Sequence, residues 1–280
     1  MGKALKRLKS FTQGKRPAMR VEHIYRYPVK GLSAEALEEV ALAEGAMLPH
    51  DREFALAQGD APLDPENPTW LKKRNFACVM VNERLVLLHT VYDPKAGRLL
   101  IRGPDGTLLD QPVTTPAGRQ AIAAWMERFM GAEARPPLRF VGGAEHRFSD
   151  NPEKLVSLIN HASIAALEAK MGQALHHLRF RANVYFNGAA PWSEFDWLGR
   201  RIELGGATLE IVARIDRCAA TTVNPDTAER DAQVPKALMT HFGHIDLGVY
   251  GRVVAGGRVA VGDAITPREE EDEPAEPPAG

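Results

Sequence analysis

The feature that most constrains the fold is a regular alternation of short apolar runs and turn signals. In "LVLLHTVYDPKAGRLLIRGPDGTLLD", residues 85–110, the segments Asp93–Gly97 and Pro104–Gly106 each separate two apolar runs. Proline, aspartate and glycine favour tight turns, and short runs between such turns are typical of β-strands. This rhythm recurs along most of the chain and predicts a mainly β (α+β) protein with a few helices.

One helix is clearly predicted in "TTPAGRQAIAAWMERFMG", residues 114–131. Thr115 can accept the N-terminal capping hydrogen bonds, and Pro116 suits the first helical position. Apolar residues recur at helical spacing before Gly131, which ends the pattern. This stripe consists of Ile122, Trp125, Met126 and Phe129. It indicates a face that packs into the core.

The central part of the chain divides into two predicted domains, residues 20–142 and 143–266. The division falls after "GAEARPPLRFVGG", where prolines and paired glycines interrupt the pattern. In the second half, residues 152–172 can be interpreted as one long helix, or as a strand over 154–160 followed by a helix that Ser163 caps. The stretch over 246–265 indicates two strands with a turn at Gly256 and Gly257.

The two ends differ from the middle in composition. Residues 1–19 are basic and contain no acid, which predicts a flexible arm or a weak membrane-surface or targeting contact. Residues 267–280 are acidic and rich in proline, which predicts a disordered tail. The net charge of −1 does not favour a nucleic-acid partner, and the sequence contains no apolar run long enough for a membrane span.

The only two cysteines, Cys78 and Cys218, lie in contrasting contexts. Their scarcity favours a reducing, cytoplasmic location. Cys78 lies in the apolar run "NFACVMV", where a thiol acts as a small hydrophobic group. Cys218 follows Arg217 and precedes small and hydroxylated residues in "ARIDRCAATTVNPDTAER". That polar context suits a nucleophile or a ligand of a soft metal site.

Five motifs in order resemble the MOSC family, named after the C-terminal domain of molybdenum cofactor sulfurase. They are "YPVKGL" at 27–32, "HDREFAL" at 50–56, "LRFRANVYFNG" at 178–188, the Cys218 stretch and "LGVYGRVVAGGRVAVGD" at 247–263. The resemblance extends over residues 20–266 and is strongest to the two-domain branch that includes amidoxime-reducing components and bacterial reductases. It implies a β-barrel-like N-terminal domain beside a MOSC β-barrel, with a cofactor in the cleft between them.

The resemblance also implies a molybdenum cofactor, in which a pyranopterin and one protein cysteine bind the metal. Cys218 occupies the position of that ligand, and Arg217 beside it would help to tune the thiolate. Lys30, Arg52 and Arg181 match cationic positions around the cofactor phosphate, where guanidinium groups suit the oxygens well.

Further cofactor contacts are implied at four positions. Asn183 lies two residues after Arg181, on the same side of a strand, and could pair with the pterin edge. Ser163 matches a serine at the start of a helix, where free N–H groups suit an anion. This match favours the strand-then-helix interpretation of residues 152–172. Tyr250 matches an aromatic residue near the cofactor, and Lys73 matches a further basic contact, although "LKKRN" offers three cations.

Other redox and metal sites are not expected. Some bacterial relatives carry a plant-type iron–sulfur domain, which needs four cysteines, whereas this chain has two. Neither His176 and His177 nor His241 and His244 combine with a cysteine at zinc-finger spacing. We therefore expect no iron–sulfur cluster of its own and electrons from an external iron–sulfur or haem protein with its reductase.

The function implied by the resemblance is a molybdenum-dependent oxidoreductase. It would remove oxygen reductively from N-hydroxylated small molecules such as amidoximes, hydroxylamines and N-hydroxylated bases. Two alternatives remain at this point. One is a non-catalytic carrier of the cofactor or a sulfur-delivery module, and the other is a cysteine enzyme that uses no metal.

Overall fold

The computed structural model describes residues 18–64, 68–143 and 146–268, and strands dominate these residues. The strands are β1 Arg20–Arg26, β2 Glu35–Leu37, β3 Glu39–Leu42, β4 Phe54–Gln58, β5 His89–Asp93, β6 Arg98–Arg102, β7 Leu108–Pro112, β8 Leu138–Gly142, β9 Val156–Asn160, β10 Val184–Asn187, β11 Arg201–Leu204, β12 Ala207–Asp216, β13 Asp246–Ala255, β14 Gly257–Ala260 and β15 Ile265–Pro267. The helices are α1 Pro116–Met130, α2 His161–Met171 and α3 Val234–Phe242. The prediction of a mainly β fold with a few helices is confirmed. Most of the predicted basic arm and acidic tail lies outside the described residues.

The largest sheet contains eight strands in the order β15-β11-β12-β13-β9-β10-β1-β2. Its strands pair antiparallel except β9 and β10, which are parallel. The start of β1 also bonds to the segment before β15, since Val21 N–H donates to Asp263 O over 2.9 Å and Ile265 N–H donates to Met19 O over 3.0 Å. The sheet therefore curls until β1 meets β15, and it forms a barrel.

The barrel separates two apolar clusters. Inward-facing residues such as Val21, Ile24 and Leu158 pack with the interior of β11 to β13. On the outer face, α2 and α3 cover a second cluster that includes Ile159 and Tyr185. Successive residues of a strand point to opposite faces, so Leu158 and Ile159 belong to different clusters. Burial on both faces explains why every residue of β9 is buried, without the alternation of a surface strand.

A second unit packs beside the barrel and contains β4 paired with β8, the β5-β6-β7 meander, and α1. Both predicted turns are present, and in the first of them Asp93 Oδ1 accepts hydrogen bonds from Lys95 N–H and Ala96 N–H. The predicted helix is confirmed, since Thr115 caps α1 by accepting from Gly118 N–H over 3.2 Å. Ile122 and Met126 from the stripe are fully buried.

Strands β1 and β2, before residue 38, belong to the same sheet as β9 to β13 and β15, so this sheet takes strands from both sides of residue 142. Two details differ from the sequence interpretation. Residues 152–172 form a strand and then a helix, but Asn160 caps α2 and Ser163 lies in its first turn. At Gly256 the chain leaves one sheet for another, because β13 pairs with β12 and β9 whereas β14 pairs with β3.

Candidate functional site

A cavity of about 290 Å³ lies between the barrel and the second unit. Its walls come from segments before β4 and around residues 73–80 and 148–155 on one side, and from β9, β12 and β13 on the other. Six basic and three acidic side chains line it, although the whole chain has a net charge of −1. The cavity therefore suits an anionic ligand. Eight of the nine predicted site residues line it: Lys30, Arg52, Lys73, Arg181, Asn183, Arg217, Cys218 and Tyr250.

Cys218 lies where β12 has ended and a short 3-10 turn, Ala219–Thr222, begins. Its carbonyl accepts hydrogen bonds from Thr221 N–H over 3.1 Å and from Thr221 Oγ1 over 2.9 Å. These bonds fix the backbone and leave the half-buried thiol at the cavity wall. The hydroxyl groups of Thr221 and Thr222 thus donate hydrogen bonds to carbonyls of the turn itself.

Arg217 is buried beside Cys218 and is held by backbone carbonyls. Its guanidinium donates to Phe180 O over 3.0 Å and, from Nε, to Leu247 O over 2.8 Å. Burial lowers the pKa of Arg217, while the nearby Tyr250 raises it. The cation lies close to Cys218, and its carbonyl bonds also tie β13 to the turn before β10.

Arg52 and Arg181 form a pair of guanidinium groups around one aromatic ring. Their Cζ atoms lie 4.3 and 4.4 Å from the ring centroid of Tyr27, which is buried and whose pKa burial raises to about 12. Arg52 donates to the fully buried Asp51 carboxylate over 2.5 Å and to Arg181 O over 2.8 Å. Burial lowers the pKa of Arg181, and repulsion from Arg52 adds to the effect. An anion at this pair would relieve that repulsion.

The backbone at both arginines is unusual. Arg52 has φ 48° and Arg181 has φ 52°, in the left-handed region that non-glycine residues rarely adopt. Each such residue costs on the order of 1 kcal/mol, and such residues concentrate at functional sites. Arg52 N–H donates to Tyr27 O over 2.7 Å, and Arg181 N–H donates to Leu178 O over 3.2 Å. These bonds hold the turns that direct both guanidinium groups to the cavity.

Two lysines share one carboxylate across the cavity. Lys30 is 6% exposed and donates to Phe148 O over 2.9 Å and to Asp150, while Lys73 Nζ lies 3.7 Å from the same carboxyl group. Burial alone would raise the pKa of Asp150, but Lys30 and Lys73 outweigh it and lower that pKa. Burial alone would lower the pKa of Lys73, but the interactions with Asp150 and Cys218 outweigh burial and raise that pKa. Of the three cations in "LKKRN", Lys73 is the one that faces the thiol and the cavity.

Asn183 is buried, and most of the hydrogen-bonding capacity of its side-chain amide is used by other residues. Its Oδ1 accepts from Ser157 Oγ over 2.8 Å and from Ser157 N–H over 3.2 Å, and its Nδ2 donates to Tyr25 O over 3.2 Å. One amide N–H therefore remains for a ligand. Tyr250 lines the cavity, and its hydroxyl makes no hydrogen bond within the described part of the chain. Burial raises the pKa of Tyr250, which keeps the hydroxyl protonated as a donor.

Ser163 is the one predicted site residue that the structure does not bring to the cavity. Its hydroxyl donates to Glu194 Oε1 over 2.7 Å and accepts from Trp192 N–H over 2.8 Å, and the residue is fully buried. Burial raises the pKa of Glu194, whereas the bond from Ser163 lowers it. The serine therefore joins α2 to the 3-10 turn at Ser193–Trp197.

Four residues at the cavity or directly behind its wall escaped the sequence interpretation. Asp150 and Cys78 line the cavity, and Asp51 lies behind it as the partner of Arg52. Arg230 donates to Ala219 O and Thr222 Oγ1 on the Cys218 turn and to Met80 O beyond Cys78. Only Asp51 had a local signal, its position beside Arg52 in a matched motif. The other three depend on contacts between distant segments.

The side chains present fit a phosphate-bearing cofactor with a metal that takes a thiolate ligand. The thiol of Cys218 lies at the wall of a cavity that is also lined by four arginines and two lysines. Arg181 donates one hydrogen bond to a described residue, so four of its five N–H groups remain for an anion. A thiolate is a suitable ligand for a soft metal site, and cationic neighbours favour that ionised form.

Several known proteins are similar to this chain in sequence. The human mitochondrial amidoxime-reducing component 1 is 22% identical over 52% of this chain and 50% of that protein. The human component 2 is 24% identical over 65% of this chain and 66% of that protein. Molybdenum cofactor sulfurase of Caenorhabditis briggsae is 23% identical over 78% of this chain. The chain spans 31% of that sulfurase and half or more of the two human proteins.

The structure of the YuaD protein from Bacillus subtilis superposes over 90% of this chain and 97% of that chain with a TM-score of 0.40 and 14% identity. Two domain families match the sequence. The MOSC N-terminal beta barrel domain matches residues 18–135, and the MOSC domain matches residues 145–266. This chain belongs to the MOSC family, in the branch in which a MOSC N-terminal barrel domain precedes the MOSC domain.

Proposed function

We propose that this protein is a molybdenum-cofactor-dependent reductase of N-hydroxylated small molecules such as amidoximes, hydroxylamines and N-hydroxylated bases. The observation that carries the proposal is the position of the Cys218 thiol at the wall of a cavity that six basic side chains line. Amidoxime-reducing components are among the similar proteins, and this chain covers half or more of the length of the two human ones. Both lines of support point to one anionic, thiolate-bound cofactor in this cavity.

Each of the eight predicted site residues that line the cavity has a role in this proposal. Cys218 supplies the protein thiolate for the metal, and Arg217 and Lys73 stabilise its negative charge. Arg52, Arg181 and Lys30 bind the phosphate, because all three are cations that line the cavity. Asn183 holds Ser157 and offers its remaining N–H to the pterin edge. Tyr250 offers its protonated hydroxyl as a hydrogen-bond donor inside the cavity.

When bound, the cofactor supplies the two-electron chemistry that converts an amidoxime, two electrons and two protons into an amidine and water. The chain itself positions the thiolate, neutralises the charge of the ligand and limits the entry of water. We expect the electrons to come from a separate iron–sulfur or haem protein with its reductase, and we place the protein in the cytoplasm. No helix in the described ranges has the length and apolar character needed to cross a membrane.

The test uses protein produced in a host that synthesises the molybdenum cofactor. We expect about one molybdenum and one pterin per chain, and reduction of benzamidoxime when reduced viologen supplies electrons. NADH or NADPH alone is expected to give no turnover until an electron-transfer protein and its reductase are added. Absence of molybdenum would contradict the proposal and favour a cysteine enzyme without metal. Direct oxidation of NADH by the pure protein would contradict the external donor.

The match to molybdenum cofactor sulfurase, which extends over 78% of the chain, supports a second candidate. In this alternative the domain pair carries the cofactor, or delivers sulfur to it, without reducing a substrate. The two candidates differ in one measurement. Protein that contains molybdenum but does not reduce several N-hydroxylated compounds with viologen supports the carrier, while turnover that depends on Cys218 supports the reductase.

A further inference from the structure

Four histidine and glutamate side chains gather on the outer face of the barrel, away from the cavity. Glu22 and His23 come from β1, His161 begins α2, and His177 begins the 3-10 turn at His177–Phe180. One ligand atom from each of Glu22, His23 and His161 lies within 4.8 Å of the other two. None of these residues lines the cavity described above. The cluster is thus a separate feature of the surface.

A β-bulge explains why two consecutive residues of β1 reach the same cluster. Val21 pairs with Phe186 and His23 pairs with Tyr185, so Glu22 is an extra residue in β1. In a regular strand Glu22 and His23 would point to opposite faces. The bulge changes that alternation, and Val21 and Ile24 on either side both pack inside the barrel. Bulges are frequent where a strand must direct side chains to a functional site.

His161 contributes a buried nitrogen to the cluster. Its Nε2 makes no hydrogen bond within the described residues, and it lies 3.6 Å from Glu22 Oε2. A tetrahedral zinc ion binds nitrogen and oxygen ligands at about 2.0 to 2.2 Å, which places two ligand atoms about 3.3 to 3.6 Å apart. The separation of these two atoms is therefore suitable for a shared metal ion, while it is too long for a hydrogen bond.

The surroundings hold the ligand groups in place. The ring of His177 stacks on His23 with 5.2 Å between centroids, and its Nε2 lies 3.1 Å from Tyr25 Oη. Asn187 Nδ2 donates to the Glu22 carboxylate over 3.3 Å.

We propose that Glu22, His23 and His161 bind a divalent transition-metal ion of the zinc class on the outer face of the barrel. Two imidazoles and one carboxylate suit zinc, whereas magnesium and calcium prefer oxygen ligands alone. The Glu22 side chain is 40% exposed, so the fourth coordination position faces solvent and takes water. The metal would link the first strand of the barrel to the start of α2, independently of the cofactor.

The test titrates zinc ions alone into the full chain after treatment with a chelator, with calorimetry as the readout. We expect one ion per chain at this site, and binding at least about 100-fold weaker in His23→Ala and in His161→Ala, because each removes one of three ligands. His89→Ala is the matched control, since His89 is an exposed histidine on β5. Cys218→Ser is the second control, because a thiol can also bind zinc. Both controls are expected to bind as tightly as the parent.

Glu22→Gln provides a test that does not remove a ring from the cluster. It keeps the shape of the side chain, and we expect at least about tenfold weaker binding together with an unchanged melting temperature in the absence of zinc. Cobalt is a second probe, whose visible spectrum reports tetrahedral coordination in the parent and its loss in His161→Ala. The proposal is overturned if the parent does not bind zinc, if the ligand variants bind it as tightly as the parent, or if only Cys218→Ser abolishes binding.

Discussion

The segments around Cys78 and Cys218 face the same cavity, yet they provide opposite environments for a thiol. Cys78 is 7% exposed, and burial raises its pKa although Lys30 and Lys73 act in the opposite direction. Cys218 is half-buried at the start of a 3-10 turn, with Lys73 and Arg217 as cationic neighbours. Two identical groups in one cavity are thus suited to different tasks. Local packing, more than membership of the cavity, decides which thiol can act as a ligand.

The largest expected effect is the difference between the two cysteine substitutions. Cys218→Ser removes the sulfur ligand, so we expect loss of bound molybdenum and at least about a 100-fold decrease in amidoxime reduction. Cys78→Ser retains the wall of the cavity, and we expect less than a twofold change in bound molybdenum and in amidoxime reduction. Metal analysis and turnover with reduced viologen measure both. Equal effects in the two variants would mean that the environments do not distinguish the thiols.

The second prediction compares the two arginines beside Tyr27. Arg181→Ala removes a cation whose one protein hydrogen bond goes to Leu32 O, so we expect weaker cofactor retention by roughly 10- to 150-fold, from a lost interaction of about 1.5 to 3 kcal/mol. The melting temperature of cofactor-free protein should change little. Arg52→Ala also leaves the fully buried Asp51 without its cation. It should therefore lower both the retention of the cofactor and the melting temperature.

The control for this comparison is Arg139→Ala, because Arg139 is half-buried and donates to Ala61 O outside the cavity. Its cofactor content should equal that of the parent. Pterin fluorescence measured beside thermal unfolding separates the two effects. If Arg181→Ala lost stability and cofactor in equal proportion, Arg181 would be a structural arginine.

A third prediction concerns Arg230, which joins the two cysteine segments. It donates to Ala219 O over 3.0 Å and to Met80 O over 2.8 Å, and pairs with Glu83 over 2.6 Å. Arg230→Ala should lower the free energy of unfolding by about 1 to 2 kcal/mol, because these hydrogen bonds are lost together. Denaturant unfolding measures this value. Arg258→Ala removes an exposed pair with Glu39, which solvent screens, and should change the free energy of unfolding much less than Arg230→Ala does.

The smallest expected effect is the pH dependence of thiol alkylation in cofactor-free protein. Since burial raises the pKa of Cys78, less thiolate forms at a given pH, and its reaction with N-ethylmaleimide should keep accelerating beyond the pH at which a free cysteine has ionised. Cys218→Ser isolates this thiol, and Cys78→Ser isolates the other. Cys218 should react faster at neutral pH. Equal rates and equal pH midpoints would remove the contrast between the two environments.

Local patterns in the sequence predicted much of the fold. Helix α1 forms where Thr115, Pro116 and Gly131 predicted its ends, and the meander β5-β6-β7 turns where Asp93 and Asp105 predicted turns. These features depend on interactions between residues a few positions apart, which composition and spacing reveal. The helical cap of α2 was predicted at Ser163 but lies at Asn160, because Ser163 finds a buried partner in Glu194, about thirty positions away.

The sequence alone determined the mainly β class, the contrast between the two cysteines and the motifs that carry the resemblance to the MOSC family. Tertiary structure alone decided that strands before residue 38 complete a barrel with strands after residue 155, that Asp150 reaches the cavity, and that Arg230 joins the segments of the two cysteines. It also brought Glu22, His23 and His161 together through a bulge. The physical reason is that strand pairing and curling join segments over 100 residues apart, and no local preference of a residue encodes its distant partner.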